Sequence, residues 1–260
     1  MSDVRRGDPH WRLAVVIPAF NEAAGITATL KALAQQDDLD FDVVICDNNS
    51  TDATVAVIEY FIAERQLTRW RVVSEKQKGT GAAADTAIRA AIAAGATHIA
   101  RTDADCLPAR NWVRLIRAAF SSGSELIAGK LIARTDDRSV SPLQQRVLAA
   151  AVAIAGAFGR FRPGNQGPDY LGPYMMSAGC NMAITSELYE NAGGFPRTAI
   201  EDVHEDRALV NAVRKISWRY RAHPEVIVFA SARRADAWGL LRTLGWYADH
   251  RYRPDEVDIR

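Results

Sequence analysis

Apolar residues in the first half of the chain come in two alternating patterns. Leu13 to Ile17 is an unbroken apolar run that stops at Pro18, which predicts a buried strand. Ile26, Leu30 and Leu33 then recur at helical spacing. Phe41 to Cys46 is a second apolar run, ending at Asp47. Thr51 to Arg65 reads as a helix with Val55, Ile58 and Ile62 on one face and Ser50 or Thr51 as its N-cap. Trp70 to Val73 predicts a third strand, and Thr80 to Ala94 an alanine-rich helix stopped by Gly95. Thr97 to Thr102 predicts a fourth strand, and Pro108 to Phe120 a fourth helix opened by its proline. Strand and helix thus alternate four times, which argues βαβ units and a mostly parallel, doubly wound α/β sheet.

The second half is less regular. Glu125 to Leu131 reads as a strand and Pro142 to Phe158 as a helix. Arg160 to Tyr174, with three Gly and three Pro, reads as a long loop of the kind used for lids and acceptor walls. Thr185 to Ala192 and Glu205 to Lys215 look helical. Trp218 to Ala222 and Val226 to Phe229 look like two strands separated by His223-Pro224.

Composition narrows the function classes. A chain of 260 residues, 48% hydrophobic and 24% charged, is ordinary for a globular enzyme with a full core. The net charge of +1 gives no bulk attraction to nucleic acid or an anionic membrane. Three cysteines, Cys46, Cys106 and Cys180, lie far apart without a CxxC pair, so neither a zinc cluster nor a disulfide framework is expected. The polar start, Met1 to Arg12, lacks the apolar core of a signal peptide. No apolar run reaches the roughly 18 residues that span a bilayer. A cytoplasmic protein is expected, with peripheral membrane association left open.

In a doubly wound sheet, ligands bind outside the carboxyl ends of the strands. Four polar clusters fall there: Pro18 to Glu22, Asp47 to Asn49, Ser74 to Lys76, and Asp103 to Asp105. Asp103 and Asp105 form an oxygen-only corner suited to Mg²⁺ or Mn²⁺ holding a diphosphate. Ionised Asp47 can accept from the N–H edge of a uracil or guanine, with Asn48 and Asn49 beside it; an Asx turn is the alternative use. Glu22 can bridge ribose hydroxyls, or serve only as a helix-start carboxylate. Lys78, before Gly79-Thr80-Gly81, can touch a phosphate or base, although the Walker pattern is absent and two glycines are more often just a turn.

Val15 to Glu22, Val43 to Asp52, Thr102 to Asp105, Ala178 to Ala183 followed by Gly193 to Pro196, and Glu205-Asp206 leading to Leu209, Arg214 and Lys215 form a set. Together these segments resemble the family 2 glycosyltransferases of the GT-A fold. The resemblance covers about residues 12 to 222. It implies a single domain with a nucleotide-sugar half (about 12–105), an acceptor and catalytic half (106–235) and a tail (236–260). Pro18, Phe20, Glu22 and Asp47 would hold the nucleoside, Asp103 would contact ribose or sugar, and Asp105 would ligate the metal. Glu205-Asp206 would supply the catalytic base, Asp206, and Gly179 and Asn181 lie in the acceptor-side segment.

Two departures stand out. An upstream twin, Glu201-Asp202, precedes the Glu-Asp pair, but spacing to Leu209 and Lys215 favours Asp206. The histidine often found after the last strand is replaced by a stretch containing Arg233 and Arg234, which can neutralise a leaving diphosphate; a surface basic pair is the commoner fate of such residues. His204 and His223 are minor metal-ligand candidates. The expected activity is metal-dependent, inverting transfer of a sugar, most simply a hexose, from a nucleoside-diphosphate sugar to an acceptor hydroxyl. UDP-sugars come first and GDP-mannose second, and the acceptor is a saccharide or a lipid-linked carrier. The alternatives are a sugar-phosphate nucleotidyltransferase, whose expected Gly- and Arg-rich loop is missing after the first strand, and a binding-only relative.

Overall fold

The computed structural model describes residues 11–134, 136, 159, 161–197, 205–231 and 233. Among the described residues eight strands form one sheet: β1 (Leu13–Ala19), β2 (Asp42–Asp47), β3 (Trp70–Ser74), β4 (His98–Arg101), β5 (Leu107–Pro108), β6 (Leu126–Ala133), β7 (Met182–Thr185) and β8 (Tyr220–Ala230). The α-helices among the described residues are α1 (Ile26–Ala34), α2 (Thr54–Glu64), α3 (Thr80–Ala93), α4 (Trp112–Ser121), α5 (Ser186–Asn191) and α6 (Glu205–Ile216). The sheet order is β3-β2-β1-β4-β7-β6-β8-β5. Strands β3, β2, β1 and β4 run parallel. Strand β7 is antiparallel to both β4 and β6, β8 is parallel to β6, and β5 is antiparallel to β8.

Side-chain alternation on β1 explains the layering. Leu13, Val15 and Ile17 face one core with Ile26 and Leu30 of α1, Ile58 and Phe61 of α2, and Trp112 and Ile116 of α4. Ala14 and Val16 face the other core with the alanines of α3, Tyr189 of α5 and Leu209 and Val213 of α6. A period of two residues thus feeds helices on both faces, and the strand must be apolar throughout. The chain leaves β1 toward β2 and β3, then returns to place β4 on the opposite side of β1. The crevice between the carboxyl ends of β1 and β4 is therefore a topological switch point, where such sheets bind ligands.

Three details differ from the sequence reading. Pro108 does not open a helix: it pairs with Val228 in β5, and α4 starts at Trp112. Ser50 and Thr51 do not cap α2; Asp52 Oδ1 accepts from the Thr54 amide at 2.9 Å instead, and the two hydroxyl residues bond Asn21. The two expected C-terminal strands are one, β8. It keeps its pairing with β6 across His223-Pro224 because residues 224–226 bulge out opposite Gly129 and Lys130. A proline is tolerated in such a bulge because no ladder bond is asked of it.

The long loop is fastened where it is described. Buried Arg214 of α6 donates to the carbonyls of Asn165 (3.1 Å) and Gly172 (2.9 Å), and its guanidinium lies 4.0 Å from the Tyr170 ring centroid. The expected helix Pro142 to Phe158 lies outside the described residues, as does the tail 236–260. Among the described residues no helix is long and apolar enough to cross a membrane.

Candidate functional site

The penultimate residue of β1 is a proline, Pro18, yet no ladder bond is lost. Strand β4 pairs with β1 only as far as Val16, opposite Arg101. Two residues on, the N–H that Pro18 lacks would point into the crevice rather than at a neighbour. The chain then turns through Asn21, whose φ of 49° lies in the left-handed region where asparagine is tolerated. The Asn21 amide donates to Ser50 Oγ (2.8 Å), its side-chain Oδ1 accepts from the Thr51 amide (2.7 Å), and the Glu22 amide donates to Thr54 Oγ1 (2.7 Å). The loops after β1 and β2 are therefore stitched into one floor.

Asp47 sits buried at the end of β2. One of its oxygens, Oδ2, accepts from the Ser50 amide at 3.2 Å, so the Asx-turn reading holds for that atom. The other, Oδ1, is buried with no hydrogen-bond partner among the described residues. Beside it, Asn48 donates to the carbonyls of Glu75 and Gln77 and accepts from the Gly79 amide at 2.9 Å, which pins the loop after β3. Gly79 has a φ of 139°, so this turn needs its glycine. Lys78 and Asn49 are exposed on the rims of these loops, Pro18 is buried and Phe20 half-buried.

The loop after β4 carries the two carboxylates among three arginines. Arg101, only 2% exposed, reaches Asp103 Oδ1 and Glu205 Oε1, each at 3.2 Å, and stacks over Phe195 at 5.0 Å. Its Nη1 is buried without a partner among the described residues. Burial pushes the Asp103 carboxyl up from its ordinary value, Arg101 opposes this, and Asp105 and Glu205 add to it. Arg233 Nη2 donates to Asp105 Oδ2 (2.8 Å) and Glu22 Oε1 (2.6 Å), and Arg134 Nη1 donates to the Asp105 carbonyl (2.7 Å). Cys106 is buried at the same turn; the neighbouring Cys180 thiol, burial and the Asp105 charge hold its thiol well above its usual range.

The Glu205-Asp206 pair opens α6 on the far side of Arg101. Asp206 Oδ2 accepts from the Gly179 amide (3.3 Å) and Oδ1 from the Arg207 amide (2.6 Å). Burial, with the Glu205 charge second, raises the Asp206 carboxyl to about 7. Two glycines make room for this cluster. A Cβ on Gly179 would come within 2.8 Å of Arg101 Nη1, and one on Gly81 of α3 would run into the Pro196 carbonyl and approach Glu205 Cβ at 3.2 Å.

Most of the predicted residues therefore gather at one sheet edge. Glu22, Arg233 and Asp105 form one chain of contacts, and Asp103, Arg101, Glu205, Asp206 and Gly179 form the next. Asn181 behaves differently. It is fully buried, its Oδ1 accepts from Trp112 Nε1 (2.9 Å), and its Nδ2 donates to the carbonyls of Lys130 (2.9 Å) and Val226 (3.0 Å). Its amide joins β6, β8 and α4 rather than facing the crevice. His223 bonds Ser124 and Glu225, whereas Glu201, Asp202, His204 and Arg234 lie outside the described residues. The sequence reading missed Arg101 and Arg134; it placed Asn48 beside Asp47 but not as the residue that pins the loop after β3. A charged residue closing an apolar strand is the one signal that marked Arg101.

Among the described residues no group of three or more His, Cys, Asp and Glu side chains is placed to hold a metal ion. The donors at this edge are carboxylates alone, with Asp105 partly open to solvent at 29%. Mg²⁺ and Mn²⁺ favour such hard oxygen donors, and Mg²⁺ is commonly held by one or two carboxylates plus substrate phosphates. The donor set fits a cation that arrives with a diphosphate, rather than a cage built wholly of protein.

The fold matches solved glycosyltransferase structures. One is the mannosyltransferase PcManGT from Pyrobaculum calidifontis in complex with GDP-Man and Mn²⁺, with a TM-score of 0.62 and 24% identity over 90% of this chain and 60% of that one. Another is S. aureus TarS 1–349 in complex with UDP-GlcNAc, with a TM-score of 0.61 and 17% identity over 91% of this chain and 66% of that one. The architecture is thus that of a GT-A enzyme. The family described as "Glycosyl transferase family 2" matches residues 14–187, more than half of the chain, so the protein belongs to that family and is a glycosyltransferase. Sequence relatives include the chondroitin synthase of Escherichia coli, 35% identical over 77 residues (30% of this chain, 11% of that protein). The glycosyltransferase AglE of Haloferax volcanii is 29% identical over 122 residues (46% of this chain, 39% of that protein). The matched segments span well under two thirds of either relative.

Proposed function

We propose that the protein is a single GT-A domain that moves a hexose from a nucleoside-diphosphate sugar to an acceptor hydroxyl, with inversion and with a divalent cation. The observation that carries this reading is the Arg101 bridge, which ties Asp103 at the donor crevice to Glu205, the neighbour of Asp206. The base lies beside Asp47, whose buried Oδ1 offers an acceptor to the ring N–H of a uracil or guanine. UDP-sugars rank first and GDP-mannose second; the UDP-GlcNAc and GDP-Man complexes of structural relatives are of these two kinds. Glu22 meets the ribose, and Lys78 and Arg233 meet the diphosphate.

Transfer breaks the bond between the anomeric carbon and a phosphate oxygen through a transition state with oxocarbenium character. When bound at Asp105, Mg²⁺ or Mn²⁺ supplies charge stabilisation to the departing diphosphate. The attacking hydroxyl loses its proton to Asp206. A carboxylate raised to about 7 by burial is a better proton acceptor near neutrality than one at its ordinary 3.8. A single displacement with no covalent intermediate inverts the anomeric centre.

The test is product analysis with UDP- and GDP-sugars, Mn²⁺ and simple saccharide acceptors. Release of nucleoside diphosphate, abolished by chelator and by Asp105→Ala with the fold intact, is expected. Release of pyrophosphate from a sugar phosphate and a nucleoside triphosphate, or full transfer in excess chelator, would overturn the proposal.

A further inference from the structure

Arg233 is held by two carboxylates that the proposed function needs for other partners. Its Nη2 donates to Asp105 Oδ2 at 2.8 Å and to Glu22 Oε1 at 2.6 Å. Arg233 and Glu22 are only 17% and 14% exposed, so these contacts are screened less than a surface pair. The second Asp105 oxygen, Oδ1, accepts from the Cys106 thiol at 3.4 Å. Both Asp105 oxygens are therefore engaged from within the chain, and one of them by a cation.

We propose that Arg233 is an internal competitor for the divalent cation at Asp105, drawn off by the donor's diphosphate, so that cation and nucleotide bind with positive coupling through this one side chain. The inference rests on the reading of Asp105 as the cation ligand. A guanidinium and a divalent ion repel each other across a few ångströms, so an ion binding alone must displace Arg233. A diphosphate offers that guanidinium planar, charge-assisted hydrogen bonds in exchange for those it gives up. The nucleotide thereby uncovers Asp105 for the ion and one oxygen of Glu22 for the ribose. Linkage makes the effect reciprocal: the ion tightens the nucleotide by the same factor.

The experiment is Mn²⁺ binding followed by electron paramagnetic resonance, with and without UDP or GDP. It uses the wild type, Arg233→Met, Arg233→Gln and Asp105→Asn, with folding checked by circular dichroism. Without nucleotide, Arg233→Met and Arg233→Gln should bind Mn²⁺ about tenfold more tightly than the wild type. The factor by which nucleotide tightens Mn²⁺ should shrink in both. If Asp105→Asn abolishes Mn²⁺ binding while folded Arg233 variants match the wild type or bind more weakly, the competitor role is overturned and the metal reading stands. If Asp105→Asn leaves Mn²⁺ binding unchanged, the metal reading falls and the competitor role falls with it.

Discussion

The guanidinium of Arg101 lies 3.2 Å from the Glu205 carboxylate, across 104 positions of sequence, and both groups are buried. Removing one partner of a buried ion pair strands the other, at a cost of about 3–5 kcal/mol. Arg101→Met should lose that much stability in urea unfolding. Arg101→Lys should lose less, because a charge remains although the forked geometry is gone. A loss under about 1 kcal/mol in Arg101→Met would show that the bridge does not hold the crevice together.

Asp206 should set the acidic limb of activity. A base must be unprotonated, so the rate should fall as pH drops through about 7. Asp206→Asn should lower kcat by roughly 10²–10⁴-fold and remove that limb. If kcat is unchanged, the proton goes elsewhere, and Asp202 becomes the residue to replace.

The same shift has the opposite sign for stability. Between the ordinary 3.8 and about 7 the native state binds the Asp206 proton more tightly than the unfolded chain does. This group's contribution therefore favours folding less as pH rises through that window. Asp206→Asn has no such charge to bury, so its melting temperature should gain on the wild type from pH 4 to pH 8. A constant difference across that range would show that the carboxyl is not raised.

Gly81→Ala inverts the usual helix rule. Alanine is favoured over glycine inside a helix by about 1 kcal/mol. Here the added Cβ meets the backbone carbonyl of Pro196, which cannot swing aside as a side chain can. The variant should be less stable than the wild type by differential scanning calorimetry, with reduced transfer because Glu205 lies against the same Cβ. A stabilised variant would mean that the segment around Pro196 yields freely.

Glu75 anchors a second network. Its carboxyl is lowered to about 2 by Thr86, the Gln77 amide and Arg197, and Arg197 also reaches fully buried Asp85 at 3.0 Å. A lowered carboxylate stabilises the fold above its ordinary 4.5 and loses that contribution as pH falls toward 2. The melting-temperature gap between the wild type and Glu75→Gln should therefore be largest near neutral pH and close over that acidic window.

Much of this was legible in the sequence where local pattern and tertiary demand coincide. The unbroken apolar run Leu13 to Ile17 announces a strand with helices on both faces, and the carboxylates at 47, 103 and 105 fall where parallel strands end. Other features depend on distant partners. Pro108 looks like a helix opener, yet Val228, far along the chain, recruits it into a short strand. His223-Pro224 looks like a break, but a bulge absorbs it. Asn181 sits in a motif-like segment, yet Trp112 and two carbonyls use its amide. Nothing near Arg101 in sequence says that Glu205 will neutralise it.

Arg233 meets Glu22 across 211 positions of sequence. During synthesis the loops that bear Glu22 and Asp105, after β1 and β4, leave the ribosome long before their counter-charge does. A nascent chain arrested short of position 233 holds two neighbouring acids without that arginine between them. Completion of the crevice thereby waits for position 233 to emerge.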